Sequence, residues 1–179
     1  FLRKVQESAS ATPWMIALIL SSLLRPLRTL TIAGLANFAT GSVLTLDAGP
    51  FRSTTQLVVG GTLNLSGASI VPTTNGCTTL MSVNAGGRLM AVNSTFTVGS
   101  LTLSPGVVFN PGDLSGNRFD LPIYVPVNVV PLLSAGEGGS DNRRFQDINV
   151  TSGTLASGVL NFNAIGTETT ASLRYVFSN

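Results

Sequence analysis

Short in–out–in triplets followed by glycine recur along most of this chain, and two longer units built from them start 26 residues apart. The triplets include Leu30-Thr31-Ile32, Leu44-Thr45-Leu46, Leu63-Asn64-Leu65, Phe96-Thr97-Val98 and Leu101-Thr102-Leu103. Each has the period-two alternation of a half-buried strand. Turn residues follow within a few positions: Ala33-Gly34, Ala48-Gly49-Pro50, Ser66-Gly67 and Ser104-Pro105-Gly106. Three runs share one form: Leu30 to Gly34 ending at Phe38, Leu44 to Gly49 ending at Phe51, and Leu101 to Gly106 ending at Phe109. In the longer units, Gly60-Gly61-Thr62-Leu63 through Ile70 aligns with Gly86-Gly87-Arg88-Leu89 through Phe96. Self-similarity at a period of about 20–50 residues is the mark of a solenoid or array. One coil of a three-sided β-helix is the simplest unit of that length. An antiparallel sandwich or barrel is the competitor, but it calls for tight hairpin dipeptides between strands. Only Asn75-Gly76 qualifies, and it lies in a longer loop.

The expected fold is therefore all-β, a parallel β-solenoid over residues 29–179, preceded by a distinct segment at 1–28. Composition agrees. Only 10% of the 179 residues are charged, against roughly 25% in an ordinary soluble domain, while 44% are hydrophobic and the mean hydropathy is +0.39. Between Arg52 and Asp113 the one charged residue is Arg88. Strands joined by uncharged turns tolerate this, whereas a helical surface would carry many Lys and Glu. The wealth of Val, Ile, Leu and Phe argues against disorder, and sparse charge favours self-association.

Within 1–28, Thr12-Pro13 resembles a helix start and Pro26 a stop. The intervening Trp14–Leu24 run is apolar on nearly every face. A short apolar helix over 13–24 is expected, about 18–20 Å long and too short for a bilayer core of about 30 Å. Three roles compete: a cap on the solenoid core, a contact with a partner subunit or membrane interface through Trp14, Ile16, Leu18, Ile19 and Leu20, or the apolar part of a signal peptide behind Arg3 and Lys4. The chain begins at Phe1, which suggests a processed product or a segment of something longer. Farther on, Pro122, Pro126 and Pro131 punctuate 121–133, which predicts an extended excursion or an edge. Residues 136–144 form an exposed loop, and alternation returns over 148–177.

Chemistry-bearing patterns are scarce. The chain has no histidine, which removes Ser-His-Asp and Cys-His catalysis and the usual zinc sites. Neither a nucleophile elbow nor a phosphate loop occurs, so no cofactor and no metal are expected. Four of the ten basic residues fall in the first 28 positions without an aromatic-and-basic pattern, so nucleic acid is not an expected partner. Cys77 stands alone: a small buried hydrophobe or an intermolecular crosslink. Carboxylates are the remaining catalytic option. Asp120 and Asp141 are 21 apart, as are Asp147 and Glu168, an offset that could stack acids on adjacent coils for glycan cleavage. The alternative is that these are solvated loop residues. Asp113 to Asn117 lacks the full oxygen set of a calcium loop. The pairs Thr29/Thr31 and Thr95/Thr97 suit either ordinary strands or an ice-ordering face. Sequons at Asn64, Asn93 and Asn149 matter only in a glycosylating secretory route.

The units Leu-Thr-(Leu/Ile)-x-x-Gly and Gly-Gly-x-Leu-x-(Leu/Ala)-x-x-Ser resemble right-handed parallel β-helix repeats of bacterial surface proteins, such as autotransporter passengers and filamentous-haemagglutinin-like adhesins. The resemblance covers about 29–112 and loosely 148–177. It implies an extracellular or cell-surface location and a structural or adhesive role, with self, other subunits of a surface assembly or carbohydrate as partners. No catalytic residue is carried over. Rival expectations are a carbohydrate-active β-helix enzyme and an accessory subunit of a larger membrane-associated assembly, with lipid contact through 13–24.

Overall fold

The computed structural model describes residues 15–17, 28–46, 54–72, 78–134, 141–154, 160, 162, 164–169 and 171–177. Among them the chain forms β1 (Met15–Ala17), β2 (Arg28–Ile32), β3 (Leu35–Phe38), β4 (Val43–Leu46), β5 (Thr54–Val59), β6 (Thr62–Ser66), β7 (Ser69–Pro72) and β8 (Thr78–Val83). It continues with β9 (Arg88–Val92), β10 (Thr95–Phe96), β11 (Ser100–Leu103), β12 (Leu114–Ser115), β13 (Arg118–Phe119), β14 (Ile123–Pro126), a 3-10 helix (Val127–Leu133), β15 (Ile148–Thr151) and β16 (Tyr175–Phe177). Three parallel sheets result. The first is ordered β1-β4-β7-β10-β13, the second β16-β15-β14-β11-β8-β5-β2, and the third β12-β9-β6-β3. This is an all-β parallel β-solenoid of about 5 turns.

The alternation seen in the sequence positions the core. In β5, Thr55, Leu57 and Val59 face inward and Thr54, Gln56 and Val58 outward. Registered pairing then stacks like upon like. Leu30, Leu57, Met81, Leu101, Ile123 and Ile148 form one inward row of the second sheet. Leu44, Ile70, Phe96 and Phe119 form the row of the first sheet. Leu57, Ile70, Phe96 and Leu63 are fully buried, and each such side chain stabilises the fold by about 1.5–3 kcal/mol. Phe96, Phe119 and Phe145 stack in series with centroids 5.0 and 5.3 Å apart, each pair adding about 0.5–1.5 kcal/mol.

The 26-residue alignment is the true register: Leu63 stands against Leu89 and Ile70 against Phe96. The second glycine of each Gly-Gly pair has a steric reason. A Cβ on Gly87 would sit 2.5 Å from the Val59 carbonyl oxygen of the coil above, and one on Gly61 would strike the Gly34 carbonyl. Consecutive backbones approach at this corner too closely for a side chain. The Leu-Thr-x triplets, by contrast, mark strands without marking faces. Leu30 and Leu101 belong to the second sheet but Leu44 to the first.

Two segments differ from expectation. Within the apolar run expected as a helix, the three described residues Met15–Ala17 form a strand paired with Val43–Thr45; the rest of 13–24 lies outside the described residues. The 121–133 stretch divides in two. Ile123–Pro126 is a central strand between β11 and β15, because Pro122 and Pro126 bracket it and leave Ile123 N–H free to bond Asp147 O. Val127–Leu133, with Pro131 inside, leaves the ladder as the 3-10 helix and buries Val129, Val130 and Leu133.

Candidate functional site

Where strands shrink to two residues, side chains take over the joining of coils. At the corner between the third and first sheets, Ser94, Asn117 and Asn142 are buried one below another. Ala68 N–H donates to Ser94 Oγ (3.2 Å), and Ser94 N–H donates to Asn117 Oδ1 (2.9 Å). Asn117 Nδ2 donates to Ala91 O (2.6 Å) and to Asn142 Oδ1 (2.9 Å). Asn142 Nδ2 donates to Leu114 O and Leu133 O. A planar amide with donors and acceptor on opposite sides suits such a ladder, since it bonds the coils above and below at once. The sequence gives no signal for this beyond two asparagines 25 positions apart.

Among the described residues, every charged residue except Arg28 lies at or after Arg88. Arg88 grips buried Asp113 with two bonds, Nε to Oδ2 at 2.9 Å and Nη2 to Oδ1 at 2.7 Å. That hydrogen-bonded pairing raises the Arg88 pKa. Asn110 N–H also donates to Asp113 Oδ2 (2.8 Å), so the bonds of Asp113 and Asn117 hold the fold together. On the first sheet, Arg118 Nε donates to Asp120 Oδ2 (2.7 Å) and its Nη1 to Glu168 Oε2 (2.8 Å). Arg144 Nε lies 2.7 Å from Asp120 Oδ1. The two charges form a salt bridge between neighbouring coils. Arg174 pairs with Asp147 through Nε and Nη2, and the hydrogen bonds from Arg174 hold the Asp147 carboxyl below its ordinary range. Arg143 Nε donates to Gly116 O.

Of the four carboxylates singled out by spacing, Asp120, Asp147 and Glu168 are therefore ion-paired, and Asp141 is exposed with its carbonyl accepting from Gly116 N–H. The 21-residue offset is not a coil length here. Arg118 bridges Arg144 and Ile148 faces Tyr175, so Asp120 does not stack on Asp141, nor Asp147 on Glu168. Asp120 and Glu168 meet instead through the shared guanidinium of Arg118. Among the described residues no group of three or more His, Cys, Asp or Glu is placed to hold a metal ion, and no helix is long and apolar enough to cross a membrane.

Of the expected contact residues Trp14, Ile16, Leu18, Ile19 and Leu20, only Ile16 is described, in β1 opposite Leu44; the others, like Cys77, lie outside the described residues. The two Thr-x-Thr pairs fall on different faces, Thr29/Thr31 on the second sheet and Thr95/Thr97 on the first. The coil after Thr29 and Thr31 places Gln56 and Val58 in their rows, so no continuous threonine array forms there. Of the sequons, Asn64 and Asn149 lie within strands with Nδ2 donating to Asn37 Oδ1 and Ile123 O, and Asn93 occupies a turn with φ +52°.

These features define a parallel β-solenoid whose polar side chains mainly bind coil to coil. No protein-family model matches the chain, and no curated protein or solved structure matches it.

Proposed function

We propose that this chain is a structural or adhesive module of a secreted or cell-surface protein that associates end to end or with other subunits of a surface assembly. The observation that carries this reading is where the polar chemistry goes. Arg88, Arg118, Arg143, Arg144 and Arg174 are all directed at acids or carbonyls of this same chain. They tie coil to coil, as a scaffold requires. Among the described residues, β2 and β16 carry no strand on their outer sides, and such parallel edges accept another strand. The test is light scattering and negative-stain microscopy of the full chain, with and without residues 1–28. Rods or filaments support assembly, and their loss on truncation assigns it to the N-terminal segment. A monomer in both forms refutes end-to-end association. Cleavage of a polysaccharide that is lost in Asp120→Asn would replace the scaffold reading with a catalytic one.

A further inference from the structure

The corner between the third and first sheets runs through a row of left-handed turn residues. Gly67, Asn93 and Gly116 follow directly on β6, β9 and β12, with φ of +59°, +52° and +65°. They stack in register, since Ser66 faces Val92 and Val92 faces Ser115. Gly67 N–H donates to Val92 O and Asn93 N–H to Ser115 O, both at 2.8 Å. Glycine adopts such φ freely, and asparagine visits it at some cost. Asn93 is the one residue of this row with a side chain, and the one non-glycine at positive φ among the described residues. Its amide does not join coils as those of Asn117 and Asn142 do. It is exposed, and among the described residues no hydrogen bond holds it. Its Oδ1 lies 2.2 Å from the point that a Cβ on Gly116 would occupy, so the glycine below leaves it room. A side chain kept at an unfavourable φ without a part in the packing points to a use outside the fold.

The two residues after Asn93 say which use. Ser94 is fully buried, while Asn93 is exposed and Thr95 half-buried, so the amide and the hydroxyl of Asn93-Ser94-Thr95 are presented on the outer side together. That is the acceptor motif for an N-linked glycan. The fold treats the other two sequons differently. Asn64 lies inside β6, between β3 and β9, with Nδ2 donating to Asn37 Oδ1 (3.2 Å). Asn149 lies inside β15 with Nδ2 donating to Ile123 O (3.3 Å), and the Thr151 hydroxyl oxygen of its sequon is shut off from solvent. We propose that Asn93 is the glycan acceptor of this chain, and that a lipid-diphosphate-linked oligosaccharide is its co-substrate. Asn93 Nδ2 forms the bond to C1 of the first sugar, and the C1–O bond to the diphosphate breaks. The lipid diphosphate leaves with the electron pair, and one Nδ2 proton passes to the base of the transferase. This rests on the secreted reading above, since such donors belong to a secretory route.

The test incubates the full folded chain with a solubilised oligosaccharyltransferase and a lipid-linked oligosaccharide, and reads each asparagine by peptide mass spectrometry. Short peptides carrying each sequon, run in parallel, show that the enzyme accepts all three sequences. In the folded chain Asn93 should be modified, with Asn64 and Asn149 about tenfold or more below it, because each must first break its bond and open its strand. Asn93→Gly suits the φ of the turn, and Thr95→Val keeps a branched side chain in β10. Both variants should unfold at temperatures close to that of the natural chain, and both should lose the transfer. A folded chain left unmodified at Asn93 while the matching peptide is modified overturns the proposal. So does equal occupancy at the three sites, or full transfer to Thr95→Val. The assay reads the acceptor apart from location. A chain modified here that stays in the cytoplasm of the cell that makes it overturns the secreted reading and leaves the acceptor site standing.

Discussion

Replacing Asn117 with alanine probes the corner ladder at its most connected point. The amide is fully buried and bonds Ser94 N–H, Ala91 O and Asn142 Oδ1. Alanine leaves Ser94 N–H without that acceptor and Ala91 O without that donor, each costing about 1–3 kcal/mol when buried. It also leaves a small void between two coils. A loss of about 3–5 kcal/mol follows, a large share of the 5–15 kcal/mol of a typical domain. The control is Asn64→Ala, which removes an exposed 3.2 Å bond to Asn37 and should stay within about 0.5 kcal/mol. Urea unfolding gives the two midpoints, and hydrogen exchange at the Ser94 amide reports the local effect. If Asn117→Ala costs under about 1 kcal/mol, or no more than Asn64→Ala, the ladder does not join the coils as described.

Three further outcomes are expected. Gly87→Ala drives a Cβ to 2.5 Å from Val59 O and should cost about 1–3 kcal/mol in thermal or urea unfolding, with Gly34→Ala, where a Cβ meets nothing within 4 Å, as the mild control. The hydroxyls of Thr55 and Thr79 face the core in register and find no partner among the described residues, so Thr79→Val should raise stability by about 1 kcal/mol; a loss would show that the hydroxyl is satisfied. Asp147 is held below its ordinary value by Arg174, so its contribution is present above an unfolded value of about 3.9 and is lost as pH falls through the lower folded value. Backbone resonances of Tyr175–Phe177 should therefore loosen on acidification below about pH 4, and Asp147→Asn should already show the loosened state at neutral pH.

The solenoid was legible because its two governing signals are local. Alternation fixes which residues point inward, and the Gly-Gly corner, forced by backbone approach, fixes the register of Leu63 on Leu89. Face assignment was not legible from the triplets alone, since Leu44 and Leu101 sit in the same local pattern on different sheets. Coil length varies too, from 20 residues between Leu80 and Ser100 to 28 between Met15 and Val43, so a spacing of 21 between acids carries no positional meaning. Proline misled at 121–133 because what matters is whether it occupies a donating position, and Pro122 and Pro126 stand at the strand's ends. The asparagine ladder left no trace because one amide inside a coil looks like any turn residue until the next coil is placed below it.

The narrowing of the ladders around β10, β12 and β13 has a mechanical consequence. In a parallel stack the backbone bonds between coils lie along the axis, so tension applied to the two ends loads successive rungs in series, and a rung of two-residue strands needs other bonds to share the load. Here that rung is cross-braced by the Arg88–Asp113 fork, the Asn117–Asn142 amides and the stacked Phe96, Phe119 and Phe145. The waist of the rod is thereby reinforced, and under pulling the first break should move outward to β16.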